Sequence, residues 1–309
     1  VILSVTLNPC IDRVLFVDEL HVGDTNRVLR VETDAGGKGV NLSRVVAELG
    51  GKTTATGFLG GGPGAYVRKV LDVQGVNHDF VEIGLDTRMN FSVEQATGTP
   101  PTTLNDKGPE IDQAKWNALL EQTRVYARQA AWLALGGSLP PGVPEDAFAV
   151  LTRIGKEEGA KVLLDADGQA MKLGMQALPA MIKPNAKEAS RLLGRPIETT
   201  EQAVEAARDL LAMGLEIVLL SRGADGAVLA VGTDVWVGLS PKVQVKSTIG
   251  SGDSMLGGFL FALQNGKGWD EALALGLAAG AATALTDGSE IARKPVIERL
   301  LPDARVMKL

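Results

Sequence analysis

Short apolar runs recur along the chain, and between them apolar residues return every three or four positions. The runs at 2–6, 52–57, 131–135, 161–165, 181–183, 217–221 and 226–231 are continuous rather than alternating, which predicts strands buried on both faces. The intervening segments 40–49, 65–74, 113–129, 144–158, 187–193 and 201–213 carry the helical period, as do 254–265 and 270–285 near the end. Strand–helix alternation of this kind predicts an α/β fold, a parallel sheet covered by helices on both sides. The segment 270–285 is rich in Ala and Gly, which suits close approach to a neighbouring backbone.

Two stretches break the rhythm. The segments 14–17, 27–33 and 90–96 alternate as strands and are read without helices between them, and 100–104 extends the last. They predict a small antiparallel sheet standing apart from the main one. It would serve as a lid over the strand ends, where open α/β sheets hold ligands, or as a dimerisation face, or both.

Length and composition narrow the class. With 309 residues, 45% hydrophobic and 22% charged, the chain fits a globular enzyme with no low-complexity segment or internal repeat. A net charge of −6 argues against nucleic-acid binding. No apolar run approaches the roughly 20 residues of a membrane span, and no signal-peptide pattern opens the sequence, so a cytoplasmic location is expected. The single Cys10 excludes an internal disulfide and a cysteine zinc cluster. Only His21 and His78 are present, both in polar loop-like sequence, so carboxylates must carry the chemistry.

The most informative stretch is Ser247-Thr248-Ile249-Gly250-Ser251-Gly252-Asp253, a glycine loop that ends in a carboxylate and becomes a helix. Amides at a helix start are unpaired and suit an anion, and Asp253 beside them suits a base for an attacking hydroxyl. Taken alone, Asp253 or Ser254 serves equally well as a helix cap. A second glycine loop, Asp34-Ala35-Gly36-Gly37-Lys38-Gly39, also opens a helix; Lys38 suits a phosphate and Asn41 a pair of sugar hydroxyls, although a tight turn with a solvated lysine accounts for the same residues. Asp12 follows the first strand and Arg88 opens a lid strand, where its guanidinium could fork onto a phosphate. In Lys183-Pro184-Asn185-Ala186-Lys187-Glu188, Asn185 and Glu188 are three apart, so they either orient waters on Mg²⁺ or form a capping box. Ser221-Arg222-Gly223-Ala224-Asp225-Gly226 is a turn between two strands, or one wall of a nucleotide pocket.

Two nucleotide signatures fall away. Gly51-Lys52-Thr53 has the end of a P-loop, but Val46 stands where its first glycine belongs. Gly60-Gly61-Gly62-Pro63-Gly64-Ala65 matches a dinucleotide fingerprint in spacing, yet Pro63 removes an amide that a pyrophosphate needs, and a flexible turn near the substrate is the better reading.

On these motifs, and on Thr6-Leu7-Asn8-Pro9, Thr87-Arg88-Met89-Asn90 and Gly137-Ser138-Leu139-Pro140-Pro141-Gly142, the sequence resembles the ribokinase-like carbohydrate kinases over essentially its whole length. Within them it is most similar to the phosphosugar branch, the 1-phosphofructokinases and tagatose-6-phosphate kinases. It departs from the family at Ser251, at Arg222 and over residues 105–109. The resemblance implies one three-layer α/β/α domain over residues 1–309. Inserted in it is a small β-sheet lid, residues 12–34 and 87–104, which doubles as a homodimer interface.

By position, the resemblance implies Asp253 as base and the amides of Gly250, Ser251 and Gly252 as an anion hole. It implies Asp12, Gly37, Asn41 and Asn90 around the sugar, with Lys38, Arg88, Ser138 and Arg27 on the phosphate the substrate already carries. Lys183, Asn185, Ser221, Gly223, Gly226, Thr248, Gly252 and Asn265 would border ATP. Glu188 and Asn185 would serve Mg²⁺, with Asp165 a further metal-side residue, and a monovalent cation such as K⁺ would sit near the anion hole. The implied reaction is ATP-dependent phosphorylation of fructose 1-phosphate to fructose 1,6-bisphosphate. Tagatose 6-phosphate is the nearest rival acceptor, and a non-catalytic sugar-phosphate sensor the rival of another class.

Overall fold

The computed structural model describes residues 1–96 and 101–309. In chain order, strands β1 (Ile2–Thr6), β2 (Cys10–Val17) and β3 (Arg30–Gly36) precede helix α1 (Lys38–Glu48), and β4 (Thr53–Leu59) leads into α2 (Gly61–Val73). The short β5 (Asn77–His78) and β6 (Val81–Glu82) come next, then β7 (Arg88–Gln95) and β8 (Thr102–Leu104). Alternation follows: α3 (Gln113–Ala127), β9 (Trp132–Gly136), α4 (Ala147–Glu157), β10 (Lys161–Asp165), α5 (Gly168–Met175), β11 (Met181–Ile182), α6 (Ala186–Leu193), α7 (Thr200–Ala212) and β12 (Ile217–Ser221). The chain closes with β13 (Ala227–Val231), β14 (Asp234–Leu239), α8 (Ser251–Gln264), α9 (Trp269–Ala284), α10 (Lys294–Leu300) and β15 (Arg305–Lys308).

The large sheet runs β15-β14-β13-β12-β11-β10-β9-β1-β4-β5, with β6 also beside β4. Neighbours from β12 through β5 are parallel, whereas β13, β14 and β15 add an antiparallel edge. Successive strand residues point to opposite faces, and both faces are apolar. Leu133, Leu135, Val162 and Leu164 join the core under α3, α4 and α7, while Trp132, Ala134 and Leu163 join the one under α1, α8 and α9. Each such fully buried aliphatic side chain contributes about 1.5–3 kcal/mol. This double burial is why the strands read as continuous apolar runs, and it makes the fold a three-layer α/β/α sandwich.

The small sheet has the order β3-β2-β7-β8. It is mixed rather than antiparallel: β2 pairs antiparallel with β3, but parallel with β7. The reason is the route of the chain, which passes through α1, β4 and α2 before returning as β7, a crossover long enough for parallel pairing. Pro100, expected at the start of the last lid strand, lies outside the described residues, and Thr102–Leu104 form β8.

Helix α8, which starts at the informative glycine loop, is held by α9. An added Cβ at Gly258 would stand 2.9 Å from the Leu275 carbonyl oxygen, and one at Gly276 would stand 2.8 Å from that of Met255. The two backbones therefore touch where both chains lack side chains, as the Ala/Gly content of 270–285 predicts. Thr283 Oγ1 donates to Ser254 Oγ at 2.8 Å and pins the N-terminal turn of α8 to the far end of α9. Gly276→Val should push the helices apart and cost about 1–3 kcal/mol as overpacking. A lowered urea midpoint in equilibrium unfolding checks this, and an unchanged midpoint would show that the contact is loose.

Candidate active site

The carboxyl ends of the parallel strands, the starts of α1 and α8, and the lid strands β2 and β7 enclose a cleft of about 350 Å³. Asp12, Lys38, Asn41, Arg88, Asn90 and Asp253 all line it. Gly250 precedes α8 in the left-handed conformation (φ 73°), which a glycine adopts without steric penalty. The Ser251 amide donates to the Thr248 carbonyl at 3.3 Å. Among the described residues the amides of Gly250, Gly252 and Asp253 have no acceptor in the chain, so they are the donors left at the positive end of the helix dipole. Of the three amides expected to form an anion hole, those of Gly250 and Gly252 are free and that of Ser251 is spent on the turn, while Asp253 adds a free amide beside its carboxylate.

Asp253 is 9% exposed. Its Oδ2 accepts from Asn41 Nδ2 at 2.9 Å, which fixes the carboxylate's orientation from the first turn of α1. Burial pushes its pKa up to about 6 against the opposing pull of the Lys38 and Lys183 ammonium groups, with the charge of Asp165 adding to the rise. A carboxyl group that titrates near 6 is a better proton acceptor than one at its ordinary value and is ionised at neutral pH.

Below it lies a buried ionic cluster. Asp165, at the end of β10, has Oδ1 at 2.7 Å from Lys38 Nζ and Oδ2 at 3.3 Å from Lys183 Nζ. Burial alone would raise its pKa, but Lys183 and Lys38 together hold it below the usual carboxylate range. Both oxygens face ammonium groups, so Asp165 is not available as the metal-side ligand expected from the sequence. Lys38, likewise, is tethered inward and is not a mobile cation.

The roof is organised around Asp12. Its Oδ1 accepts from Asn90 Nδ2 at 3.0 Å and from the Cys10 thiol at 3.3 Å. Register places Gly36 opposite Cys10, and a Cβ at Gly36 would fall 2.1 Å from Asp12 Oδ2, so that glycine makes the space the carboxylate occupies. Arg88 directs Nε and Nη2 at the Asn8 carbonyl (3.1 and 2.9 Å) and Nη1 at the Asp106 carbonyl (2.7 Å). Asn8 in turn donates to Ser138 Oγ at 3.1 Å. In the sequence only its place after β1 marks Asn8.

Toward the antiparallel edge, Asn185 caps α6. Its Oδ1 accepts from the Glu188 amide at 2.9 Å, and Glu188 Oε2 accepts from the Asn185 amide at 2.8 Å, so the capping box is real. An isolated parallel bridge sets Asn185 beside Ser221, and Lys183 lies two residues before it. Among the described residues no three His, Cys, Asp or Glu side chains gather as a closed metal centre. The Glu188–Asn185 pair instead suits a hydrated ion that keeps most of its water, the habit of Mg²⁺.

The model for the pfkB family of carbohydrate kinases matches residues 4–295. The chain belongs to that family. It is 33% identical over 308 residues to the 1-phosphofructokinase of Bacillus subtilis (strain 168), covering 100% of both chains. It is 38% identical over 277 residues to that of Haloferax volcanii, covering 89% of this chain and 88% of the relative. Among solved structures, phosphofructokinase-2 of Escherichia coli in complex with substrates and products superposes with a TM-score of 0.92 at 26% identity, covering 98% of each chain. The ribokinase of Arabidopsis thaliana with ribose and ATP superposes with a TM-score of 0.81 at 26% identity, covering 97% of this chain and 98% of that one.

Several residues expected around the ligands of a carbohydrate kinase lie elsewhere or do other work. Asn265 follows the last turn of α8, a helix of 14 residues and hence about 21 Å long, so it is at the opposite end from Gly252. Its amide donates to the Phe261 carbonyl, and the neighbouring Gln264 bonds Lys52 at the amino edge of the sheet. Asn265 therefore cannot border the same nucleotide as Gly252. Arg27 is exposed between β2 and β3, outside the cleft of its own chain. Gly226 has φ 95°, and a Cβ there would sit 2.0 Å from the Gly238 carbonyl oxygen, so it serves strand packing. Gly223 opens the tight turn before it and stays at the edge of the site, and Thr248 is exposed in the loop ahead of α8, where its carbonyl accepts from the Ser251 amide. Gly61, Gly62, Pro63 and Gly64 form the first turn of α2 rather than a flexible turn or a dinucleotide site.

In this kinase, Asp165→Asn should leave the buried Lys183 and the half-buried Lys38 with Asp253 as their remaining nearby counter-charge and cost about 1–3 kcal/mol near neutral pH, less than a fully buried pair because Lys38 reaches solvent. In the wild type Asp165 holds the Lys38 pKa above its ordinary value of about 10.4, so that ion pair's contribution is full below this pH and is lost as pH rises beyond it, and the deficit of the variant narrows there. Urea unfolding of both proteins from neutral to alkaline pH checks this. A difference that does not change with pH would mean that only packing had been lost.

Proposed function

We propose that this carbohydrate kinase transfers the γ-phosphoryl group of ATP to a ketohexose phosphate, and that the acceptor is fructose 1-phosphate, giving fructose 1,6-bisphosphate and ADP. The observation that carries the reading is the buried Asp253 carboxylate beside the acceptor-free amides of Gly252 and Asp253 at the start of α8. The relatives named 1-phosphofructokinase support the choice of acceptor.

In this reading the sugar lies in the cleft with its hydroxyls on Asp12, Asn41 and Asn90 and its backbone contact at Gly37. Asp253 takes the proton of the attacking hydroxyl, and the α8 amides receive charge from the transferring phosphoryl group. Lys183, Asn185, Ser221 and Gly223 border the nucleotide phosphates, near the buried Ser251 hydroxyl, which has no partner among the described residues. Glu188 and Asn185 would hold a hydrated Mg²⁺, which when bound neutralises phosphate charge. Such a transfer asks little covalent chemistry of the protein; positioning and charge stabilisation suffice. A monovalent cation near the anion hole belongs to the same proposal, in keeping with a solved phosphofructokinase-2 of Escherichia coli in complex with potassium.

The reading treats residues 1–309 as one kinase unit. It also pairs two copies through the lid, where Val22, Leu29 and Leu104 are 95%, 62% and 61% exposed.

Two measurements test the proposal. Coupled ADP release against fructose 1-phosphate, fructose 6-phosphate, tagatose 6-phosphate, fructose and ribose should give by far the highest kcat/KM for fructose 1-phosphate; silence across the panel would favour a non-catalytic sugar-phosphate sensor. Asp253→Asn should lower kcat by about 10²–10⁴-fold with ATP binding retained. Because the ionised carboxylate is the base, wild-type kcat/KM should fall as pH drops through about 6, and the residual activity of the variant should lack that limb. A wild-type profile flat through this range would remove Asp253 from the base role.

A further inference from the structure

We propose that Lys107 reads the phosphate already present on the acceptor and sets the preference for a sugar phosphorylated at the end remote from the reacting hydroxyl. This rests on the sugar-phosphate kinase reading above. A second recess, of about 570 Å³, opens off the cleft and shares Asn8, Arg88, Asn90, Asn105 and Ser138 with it. Asp253 lines only the inner space, and Lys107 only the outer one. Base and lysine therefore border different parts of one composite groove, the inner and the outer. A ketohexose phosphate has the same layout, with an ester at one terminal carbon and a free primary hydroxyl at the other.

The segment that carries Lys107 is fastened to the wall of the groove. Arg88 Nη1 donates to the Asp106 carbonyl at 2.7 Å, the Asp106 amide donates to Asn90 Oδ1 at 3.2 Å, and Asn8 Nδ2 donates to the Lys107 carbonyl at 3.0 Å. Gly108 (φ 90°) packs on Asn8 so closely that a Cβ would sit 2.3 Å from Asn8 Oδ1. Asp106 turns its carboxylate onto the Gly108 amide at 3.1 Å. Among the described residues no carboxylate pairs with the Lys107 ammonium. The outer recess thus offers two cations, Lys107 and Arg88, together with the Ser138 hydroxyl and the Asn105 amide. That set matches a phosphate dianion, whose charge the two cations meet and a neutral hydroxyl end does not use. Arg88 accordingly has a double part: it orders the lysine's segment through backbone carbonyls and adds its own charge.

The test is titration calorimetry of fructose 1-phosphate into the full chain without ATP, followed by steady-state kinetics, for wild type, Lys107→Gln and Lys107→Arg. Lys107→Gln should raise Kd and KM for fructose 1-phosphate at least tenfold, with KM for ATP unchanged and kcat at saturation lowered less than threefold. Lys107→Arg should recover most of the affinity. Unchanged binding by Lys107→Gln, or an equal loss in kcat and in ATP affinity, would overturn this inference alone. A wild-type protein that binds none of the phosphosugars would overturn the proposed acceptor class, and this inference with it.

Discussion

A carboxylate taken out of water must find positive charge close by, and Asp165 is buried at a point where only remote segments can supply it. Lys38 comes from the glycine loop that opens α1, and Lys183 from the exit of β11. Their meeting at the end of β10 ties the start of α1 to the exit of β11. The same two ammonium groups then act on Asp253, whose pKa of about 6 is the balance of burial and Asp165 against them. One buried charge cluster thus locates the site and tunes the group that would take the proton.

Helix α8 gives that tuning a direction. Its first turn presents two acceptor-free amides and a carboxylate, and its position is set by backbone contact with α9 at Gly258 and Gly276. Cβ atoms there would lever the helix away from the strand ends and carry Asp253 off Asn41. Stability and chemistry meet in the same small residues, which is why a helix of such high Ala and Gly content is tolerated despite its weaker intrinsic propensity at glycine.

The lid supplies the other half of the groove. Because β7 returns alongside β2 in parallel, Asp12 lies opposite Asn90, and Cys10 opposite Arg88. An antiparallel arrangement would have paired them differently, so the mixed sheet is what assembles Asp12, Asn90 and Arg88 into one wall. Arg88 was expected to face a phosphate directly. It lines the groove and in addition holds Asn8 and Asp106, and the segment it secures brings Lys107 to the groove.

What could be read in the sequence was local. Continuous apolar runs specify strands buried on two faces, the helical period specifies the covering layers, and a glycine loop ending in Asp253 specifies a helix start with a carboxylate beside it. The capping box of Asn185 and Glu188 needs only three residues of separation and was legible for that reason. The elements that escaped were α5, α10, β5, β6, β14 and β15. The helices are short, α5 with two glycines in it and α10 with a proline in its first turn; β5 and β6 are two residues each, and β14 and β15 lie at the sheet's antiparallel edge. Tertiary structure decided everything that depends on residues distant in sequence. It joined Lys38 to Asp165 across 127 positions and Asn41 to Asp253 across 212, and it carried Asn265 to the wrong end of its helix for a nucleotide. Charge compensation and backbone approach act through space, and no local pattern of residue types encodes which distant partner will arrive.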